Sequence, residues 1–172
     1  LYTDPNGQAT AFKYDPLGRI IETVAPTGSK QSFSYDALGN RLSETSGEGH
    51  TTTYSYDSMN RVSSKKRPTG GETQYAYDTT GSLAKETDAN GHSTNYVNDL
   101  YGRVTKRTLP NEAAYTYAYD ALGRLTKQTG PQGLSKTYSY DVSGNLVKET
   151  DQSDRSNHYS YDKVGRLLTA KN

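Results

Sequence analysis

The 172-residue sequence has no cysteine and no tryptophan, and it is poor in aliphatic residues. The absence of cysteine excludes disulfide bonds, a thiolate nucleophile and cysteine-based zinc sites. Leucine, isoleucine, valine and phenylalanine together supply 24 residues, about 14% of the chain, which is far less than a compact aliphatic core requires. No apolar run approaches the roughly 20 residues of a membrane-spanning helix. We therefore expect neither a conventional core nor insertion into a membrane.

The charge balance excludes two further classes of protein. Twenty lysines and arginines stand against 19 aspartates and glutamates, for a formal net charge of +1. A near-neutral chain lacks the basic surface that binds nucleic acid, and it also lacks the self-repulsion that keeps charged chains unfolded. The sequence contains 16 tyrosines, which is far too many for a solvated, disordered chain. The chain must therefore become ordered without a filled core.

An internal repeat supplies that order. A Tyr-Asp pair recurs with successive starts 21 residues apart, and where one pair is missing Asn98-Asp99 keeps the frame. We divide the chain, 1–172, into a single array with a partial repeat over 1–7 followed by eight units in the 21-residue frame. Because the chain begins in mid-repeat, we expect it to be a fragment of a larger protein. The repeated residues are Tyr14, Asp15, Tyr35, Asp36, Tyr56, Asp57, Tyr77, Asp78, Asp99, Tyr119, Asp120, Tyr140, Asp141, Tyr161 and Asp162.

Other residue types keep the same frame. Another aromatic residue stands two positions before each Tyr, and a glycine stands three positions after each Asp, with Asn60 as the one replacement. Asparagine is the other residue that tolerates a positive φ. An arginine or asparagine usually follows, and a second glycine lies ten residues after the first in most repeats. The first-glycine and arginine positions include Gly18, Arg19, Gly39, Gly81, Gly102, Gly123, Arg124, Gly144, Gly165 and Arg166.

The glycines punctuate two kinds of local structure. Segments such as Asp15-Pro16-Leu17-Gly18 are typical of a type I turn that ends in a left-handed glycine. Between turns, rings and small polar residues alternate, as over 52–56, and a period of two predicts a strand. The predicted fold is all-β: a repetitive antiparallel β-hairpin array with about two strands per repeat. We expect it to curl into a spiral sheet or shell-like wall, with a stripe of tyrosines as its core.

The motif Tyr-Asp-x-x-Gly-Arg, with an aromatic residue two positions before the Tyr, resembles the YD-repeat (Rhs-repeat) family. The segment Tyr119-Asp120-Ala121-Leu122-Gly123-Arg124 is close to the consensus of that family, and the resemblance covers all 172 residues. Asn98, Asn60 and Ser82 depart from the motif, and we expect each to weaken one unit without breaking the frame.

The resemblance implies a spiral of β-hairpins that wraps into a hollow shell. The family includes shell proteins of bacterial Rhs and toxin complexes, wall-associated proteins and teneurins. The core segment that plugs such shells and carries self-cleaving aspartates is not recognisable in this sequence, and neither is a toxin domain. Autoproteolysis and toxicity are therefore not carried over to this chain.

The repeated aspartate has three interpretations: a catalytic group, a metal ligand, or a cap on its own turn. Eight evenly spaced copies favour the cap, because catalysis needs one constellation of residues. The following arginine either binds an anion, or pairs with an Asp or Glu on a neighbouring strand or lies across a tyrosine ring, and the second interpretation is favoured. His50 and His92 are two repeats apart, about 20 Å by strand spacing, which is too far to share a metal ion. The segments 88–91 and 151–154 lack the full ligand spacing of a calcium loop. We predict no enzyme, no catalytic residue, no metal and no cofactor.

Two functions remain open. The first is a structural module of a β-spiral wall that encapsulates or displays a toxin cargo domain of a large bacterial protein, secreted or on the cell surface. Its partners would be the core segment and C-terminal cargo domain of its own polypeptide. The alternative is an adhesin-like stalk or binding module that recognises glycan or protein through exposed tyrosine stripes. Open strand edges could also allow self-association. We expect no nucleic acid partner and no membrane insertion.

Overall fold

The computed structural model describes residues 1–172 and contains seventeen β-strands and one short 3-10 turn. The predicted all-β fold, a repetitive antiparallel hairpin array, is confirmed. The sequence predicts about sixteen strands, two for each of the eight repeats. The additional strand, Tyr2–Thr3, lies in the partial repeat at the start of the chain. The chain divides into two compact units, one of Leu1–Ala76 with Glu86–His92 and the other of Tyr77–Lys85 with Ser93–Asn172. The organisation as a single array remains a prediction.

The first unit is an antiparallel meander in which each strand pairs with the next. Between the second and third strands, Lys13 faces Glu22 but Tyr14 faces Ile20, so Ile21 forms a β-bulge. The same shift recurs after later Tyr-Asp pairs, and a bulge increases the local twist of a strand pair. The strands are β1 (Tyr2–Thr3), β2 (Ala9–Tyr14), β3 (Ile20–Val24), β4 (Lys30–Tyr35), β5 (Arg41–Thr45), β6 (Thr51–Tyr56), β7 (Val62–Lys66) and β8 (Glu72–Tyr77), whose last residue belongs to the second unit.

The second unit repeats this meander with the same bulges. β9 (Leu83–Thr87) is divided between the units, with its first three residues in the second and its last two in the first. The 3-10 turn, Pro131–Gly133, replaces the usual turn once. The remaining strands are β10 (Ser93–Asn98), β11 (Val104–Thr108), β12 (Ala114–Tyr119), β13 (Leu125–Thr129), β14 (Ser135–Tyr140), β15 (Leu146–Asp151), β16 (Ser156–Tyr161) and β17 (Leu167–Lys171).

Nearly all turns share one backbone geometry. After β2, the Gly18 N–H donates to the Asp15 carbonyl at 3.0 Å, and the Asp15 N–H donates to the Arg19 carbonyl at 2.9 Å. Gly18 has a φ of +77°, in the left-handed region where a side chain is disfavoured. Glycine spacing in the sequence therefore fixes where each strand ends.

No side chain is fully buried in either unit. In most strands that end in a Tyr-Asp pair, such as β6 and β12, the aromatic face is half-buried and the other face is largely exposed; in β2, by contrast, Tyr14 is exposed. The tyrosines therefore form a half-buried layer rather than an interior, because no second layer of structure covers them. The structure has no helix that could cross a bilayer.

Candidate functional site

The repeated aspartate binds the backbone of its own turn. Asp15 Oδ1 accepts hydrogen bonds from the N–H groups of Leu17 and Arg19, both at 2.9 Å. All eight repeated aspartates accept the equivalent pair, at 2.8 to 3.0 Å. Backbone groups that would otherwise need water are satisfied inside the turn.

The second carboxylate oxygen is also occupied in every repeat. Asp15 Oδ2 accepts from Arg19 Nε at 2.6 Å, and Asp120 Oδ2 accepts from Arg124 Nε at 2.7 Å. In two repeats asparagine replaces the arginine, and Asn145 Nδ2 donates to Asp141 Oδ2 at 2.9 Å. Asparagine keeps the hydrogen bond without the charge.

These hydrogen bonds lower the pKa of the turn aspartates. For Asp15 the largest cause is the backbone hydrogen bond from Arg19, and for Asp57 it is the Arg61 side chain. The pKa of Asp78 falls to about 2, chiefly through the Thr80 hydroxyl and then through Asn98. Proton transfer at neutral pH needs a group whose pKa lies near 7, so these carboxylates are poorly suited to acid–base catalysis.

The arginine that follows the glycine reaches forward to the next repeat. Arg19 Nη1 donates to the carbonyl of Asp36 at 2.8 Å, and its guanidinium carbon lies 4.9 Å from the centre of the Tyr35 ring. The second unit has the same contact twice. Arg124 donates to the Asp141 carbonyl at 3.1 Å and lies 4.7 Å from the Tyr140 ring, and Arg103 repeats the arrangement towards the following turn. One planar guanidinium thus binds its own turn, the next turn and a ring face. Its carboxylate partner is the aspartate four residues earlier in the same turn, so the prediction of a partner on a neighbouring strand is wrong, whereas the predicted contact with a tyrosine ring is present.

The tyrosine of the Tyr-Asp pair reaches back to the preceding repeat. Its hydroxyl donates to the backbone carbonyl 15 residues earlier, as from Tyr119 to Val104 at 2.9 Å. Desolvation raises the pKa of the Tyr56, Tyr119 and Tyr140 hydroxyls. The same bond is made by Tyr35, Tyr56, Tyr140 and Tyr161. We call the aspartate cap, the forward arginine and the backward tyrosine together the repeat tie.

Two departures from the motif compensate each other. Ser82 stands where arginine would fill Asp78 Oδ2, and Asn98 stands where tyrosine would bond the preceding repeat. The Asn98 side-chain amide does both: it donates to Asp78 Oδ2 at 3.1 Å and to the Leu83 carbonyl at 2.9 Å. The sequence predicts the effect of each departure separately, whereas the structure links the two through Asp78. The signal that could have revealed the pair is that both departures fall in consecutive repeats.

Asn60 also gains a contact from its departure. It has a φ of +60° and its N–H donates to the Asp57 carbonyl at 3.0 Å, so the turn keeps its geometry. Its side-chain oxygen accepts from Asn40 Nδ2 at 3.1 Å. Asparagine is thus tolerated here for the reason that the sequence predicts.

The remaining sequence candidates lie apart from one another. His50 Nδ1 is 3.4 Å from Glu48, and His92 Nδ1 is 3.4 Å from Asp88, with both imidazoles exposed. Asp88 and Asp151, which begin the calcium-like segments, accept hydrogen bonds from their own turns. The structure contains no cluster of three or more acidic or histidine side chains that could hold a metal ion.

Comparisons with solved structures show the same fold in much larger chains. A chain of the Tc holotoxin pore of Photorhabdus luminescens superimposes with a TM-score of 0.75 at 17% identity, over 92% of this chain and 10% of that chain. Two crystal structures of TcdB2-TccC3 give a TM-score of 0.64 at 20% identity, over 95% of this chain and 11% of those chains. The present chain thus spans about a tenth of their length, and at such identities the likeness shows the fold alone.

Family models give a more specific result. Residues 3–133 match Teneurin YD-shell, and residues 119–156 and 140–172 match RHS Repeat. Comparison with curated protein sequences finds no match. The Teneurin YD-shell model covers more than half of the chain. The matched residues include contacts of the repeat tie, such as those of Arg19, Tyr35 and Tyr119. The chain belongs to the Teneurin YD-shell family.

Proposed function

We propose that this chain is a structural segment of a shell wall that encloses or displays another domain of a large bacterial protein, secreted or at the cell surface. The observation that carries the proposal is the repeat tie. Hydrogen bonds run forward from arginine and backward from tyrosine, so that consecutive hairpins hold one another in a fixed register. Such a layer is suited to separating what lies on its two sides.

The same contacts support a passive role for the repeated residues. The turn carboxylates are fully hydrogen-bonded, and they occur as a ladder rather than as one constellation. We therefore assign a structural role to the Tyr, Asp, Gly and Arg residues that recur every 21 positions. We assign no catalytic residue and no cofactor.

The tyrosine contacts favour a wall over a glycan-binding stalk. Sugar recognition by stacking needs an open ring face, whereas Tyr35, Tyr119 and Tyr140 each have an arginine over the ring and a bonded hydroxyl. The partners of a wall would be the core segment and the cargo domain of the same polypeptide. The similarity in fold to chains of the Tc holotoxin pore and of TcdB2-TccC3 supports this choice.

Small-angle X-ray scattering of the chain tests the proposal. The profile is extrapolated to zero concentration, and light scattering gives the mass. A wall segment gives a curved, compact profile, and an Arg124→Ala variant relaxes that profile because its forward contact is lost. Arg166→Ala is the matched control, since Arg166 pairs with Asp162 and makes no forward contact of the Arg124 kind. A straight rod of constant cross-section would contradict the wall and support the stalk.

A further inference from the structure

The two kinds of turn share their backbone geometry but differ in the chemistry of the third position. Turns that begin with the repeated aspartate carry large apolar residues there in most repeats. The other turns carry only polar residues at that position: Asn6, Thr27, Glu48, Thr69, Asn90, Asn111, Gln132 and Ser153. Since the backbone is the same, turn formation cannot account for the difference.

The apolar residues of the aspartate turns stand in water. In the first unit, Leu17 is 72% exposed and Leu38 is 75% exposed. In the second unit, Tyr101, Leu122 and Val164 are 75% to 83% exposed, and Leu100 and Val142 beside them are more exposed still. Single exposed apolar residues are ordinary. Their recurrence at the second or third position of successive aspartate turns makes a row of apolar tips, and a large exposed apolar area of this kind marks an interaction surface.

Most of the charge beside the aspartate-turn tips of the second unit is neutralised within the turns, so it opposes a contact between two such rows of tips only weakly. Asp99, Asp120 and Asp162 are paired with the arginines of their own turns at 2.6 to 2.7 Å, and Asp141, bonded to the neutral Asn145, is the one aspartate between them that keeps an unpaired charge. Two such edges could therefore approach each other without facing rows of free carboxylates. Coulomb repulsion between like edges would otherwise cost a contact of this size most of its stability.

Spacing and area decide which partner fits. Successive tips are two strands apart, about 10 Å, so a flat apolar partner would touch only the tips and leave gaps between them. A second row with the same spacing can place its tips in those gaps. Five side chains at about 100 Å² each would bury roughly 1,000 Å² over both partners, the lower limit for a specific interface.

We propose that the aspartate-turn tips of the second unit dock onto the same tips of a second copy of this chain, as a weak two-fold dimer. The interface consists of Leu100, Tyr101, Leu122, Val142 and Val164. It is distinct from the open strand edges of β1 and β17, and it does not depend on the wall function proposed above.

Sedimentation velocity over a concentration series tests the dimer. The variant is Tyr101→Asn with Leu122→Asn and Val164→Asn, and we expect at least a tenfold weaker dimer than in the unchanged chain. The matched control alters the polar turns, Thr69→Asn with Asn90→Ser and Asn111→Ser, and should dimerise as the unchanged chain does. Circular dichroism checks that all three proteins fold. We expect a slightly lower melting temperature for the tip variant, because Tyr101 lies 5.1 Å from the Arg103 guanidinium, and for the control, because Asn111 Oδ1 accepts from the Ala113 N–H at 3.2 Å.

Two outcomes would overturn the proposal. One is an unchanged chain that remains monomeric up to about millimolar concentration, where a weak contact of this kind should be populated. The other is a tip variant that dimerises normally, which would assign association to the strand edges. Flotation with phosphatidylcholine vesicles identifies a lipid surface as the true occupant if the monomeric chain binds them. None of these results bears on the scattering profile at infinite dilution, so the wall proposal stands or falls separately.

Discussion

In most repeats a tyrosine hydroxyl adds a side-chain hydrogen bond between a hairpin and the one before it. Tyr119 donates to the Val104 carbonyl at 2.9 Å, whereas Tyr117 on the same face of β12 makes no hydrogen bond with its hydroxyl. Both rings are half-buried. The pair therefore separates the contribution of the hydrogen bond from the contribution of the ring.

We expect Tyr119→Phe to lower the free energy of unfolding by about 1 kcal/mol, because the Val104 carbonyl loses its partner. Tyr117→Phe should change it by less than about 0.3 kcal/mol. Urea denaturation followed by circular dichroism measures both. Equal losses in the two variants would show that the hydroxyl of Tyr119 does not join the repeats.

In one of the turns that do not begin with the repeated aspartate, glutamate occupies the position that glycine has in most of the others. Glu112 has a φ of +62° and its N–H donates to the Leu109 carbonyl, so it adopts the geometry that glycine has elsewhere. Glu112→Gly should raise the free energy of unfolding by about 1 kcal/mol, since the left-handed strain of a side chain is removed.

The matched control is Glu48→Gly. Glu48 is also an exposed turn residue, but its φ is not in the left-handed region. This change should lower the stability by about 0.5 kcal/mol, because glycine increases the freedom of the unfolded chain. A gain in the control as large as that in Glu112→Gly would exclude backbone strain as the cause.

At the scale of the hairpin, two altered positions act as one. Asn98 donates to both Asp78 and the Leu83 carbonyl, and so it replaces a tyrosine and an arginine at once. Restoring the consensus tyrosine alone should therefore harm the hairpin. Asn98→Tyr alone leaves Asp78 Oδ2 without its amide partner.

A double-mutant cycle tests this coupling. We expect Asn98→Tyr to lower the melting temperature, and Ser82→Arg added to it to recover the loss by about 2–4 °C. Ser82→Arg alone should give little, because Asn98 already occupies the site. Additive effects of the two changes would mean that the amide does not link the repeats.

Hairpins are also where the sequence is most informative. The positions of Gly18 and Gly28 and the alternation within β6 were enough to predict turns and strands, because both depend on local backbone chemistry. The bulge at Ile21, the forward contact of Arg19 and the double role of Asn98 could not be predicted. Each depends on the register between neighbouring strands, which is set by the folded sheet. The apolar turn tips were visible in the sequence, but their exposure was not.

At the scale of the whole molecule, stability is a sum over neighbouring repeats, because no residue is fully buried. The turn aspartates therefore carry a large share of the pH dependence. Their folded pKa lies below the unfolded value, so their contribution is complete above the unfolded pKa and is lost as the pH falls towards the folded one. For Asp78 this interval runs from 3.8 to about 2.

We expect the melting temperature to be constant between about pH 7 and pH 5 and to fall steeply below about pH 4. Asp78→Asn should show a smaller fall over that range than the unchanged chain, since its side chain cannot be protonated. Glu48→Gln, at an exposed carboxylate, should follow the unchanged curve. Differential scanning calorimetry from pH 2 to pH 7 measures all three proteins. A melting temperature that is constant down to pH 2 would show that the caps do not stabilise the fold.

The constant reach of the repeat tie bears on how such a gene can change. Wherever the contacts form, the arginine reaches a carbonyl 17 residues ahead and the tyrosine a carbonyl 15 residues behind. Duplication or loss of one whole repeat length of coding sequence therefore restores every contact, wherever within the repeat the break falls. Recombination needs no particular boundary to produce a foldable product. Chains of this kind are thus free to lengthen or shorten by unequal crossing-over. The compensating pair Ser82 and Asn98 is an exception, because a break between these two residues would separate them and would be selected against.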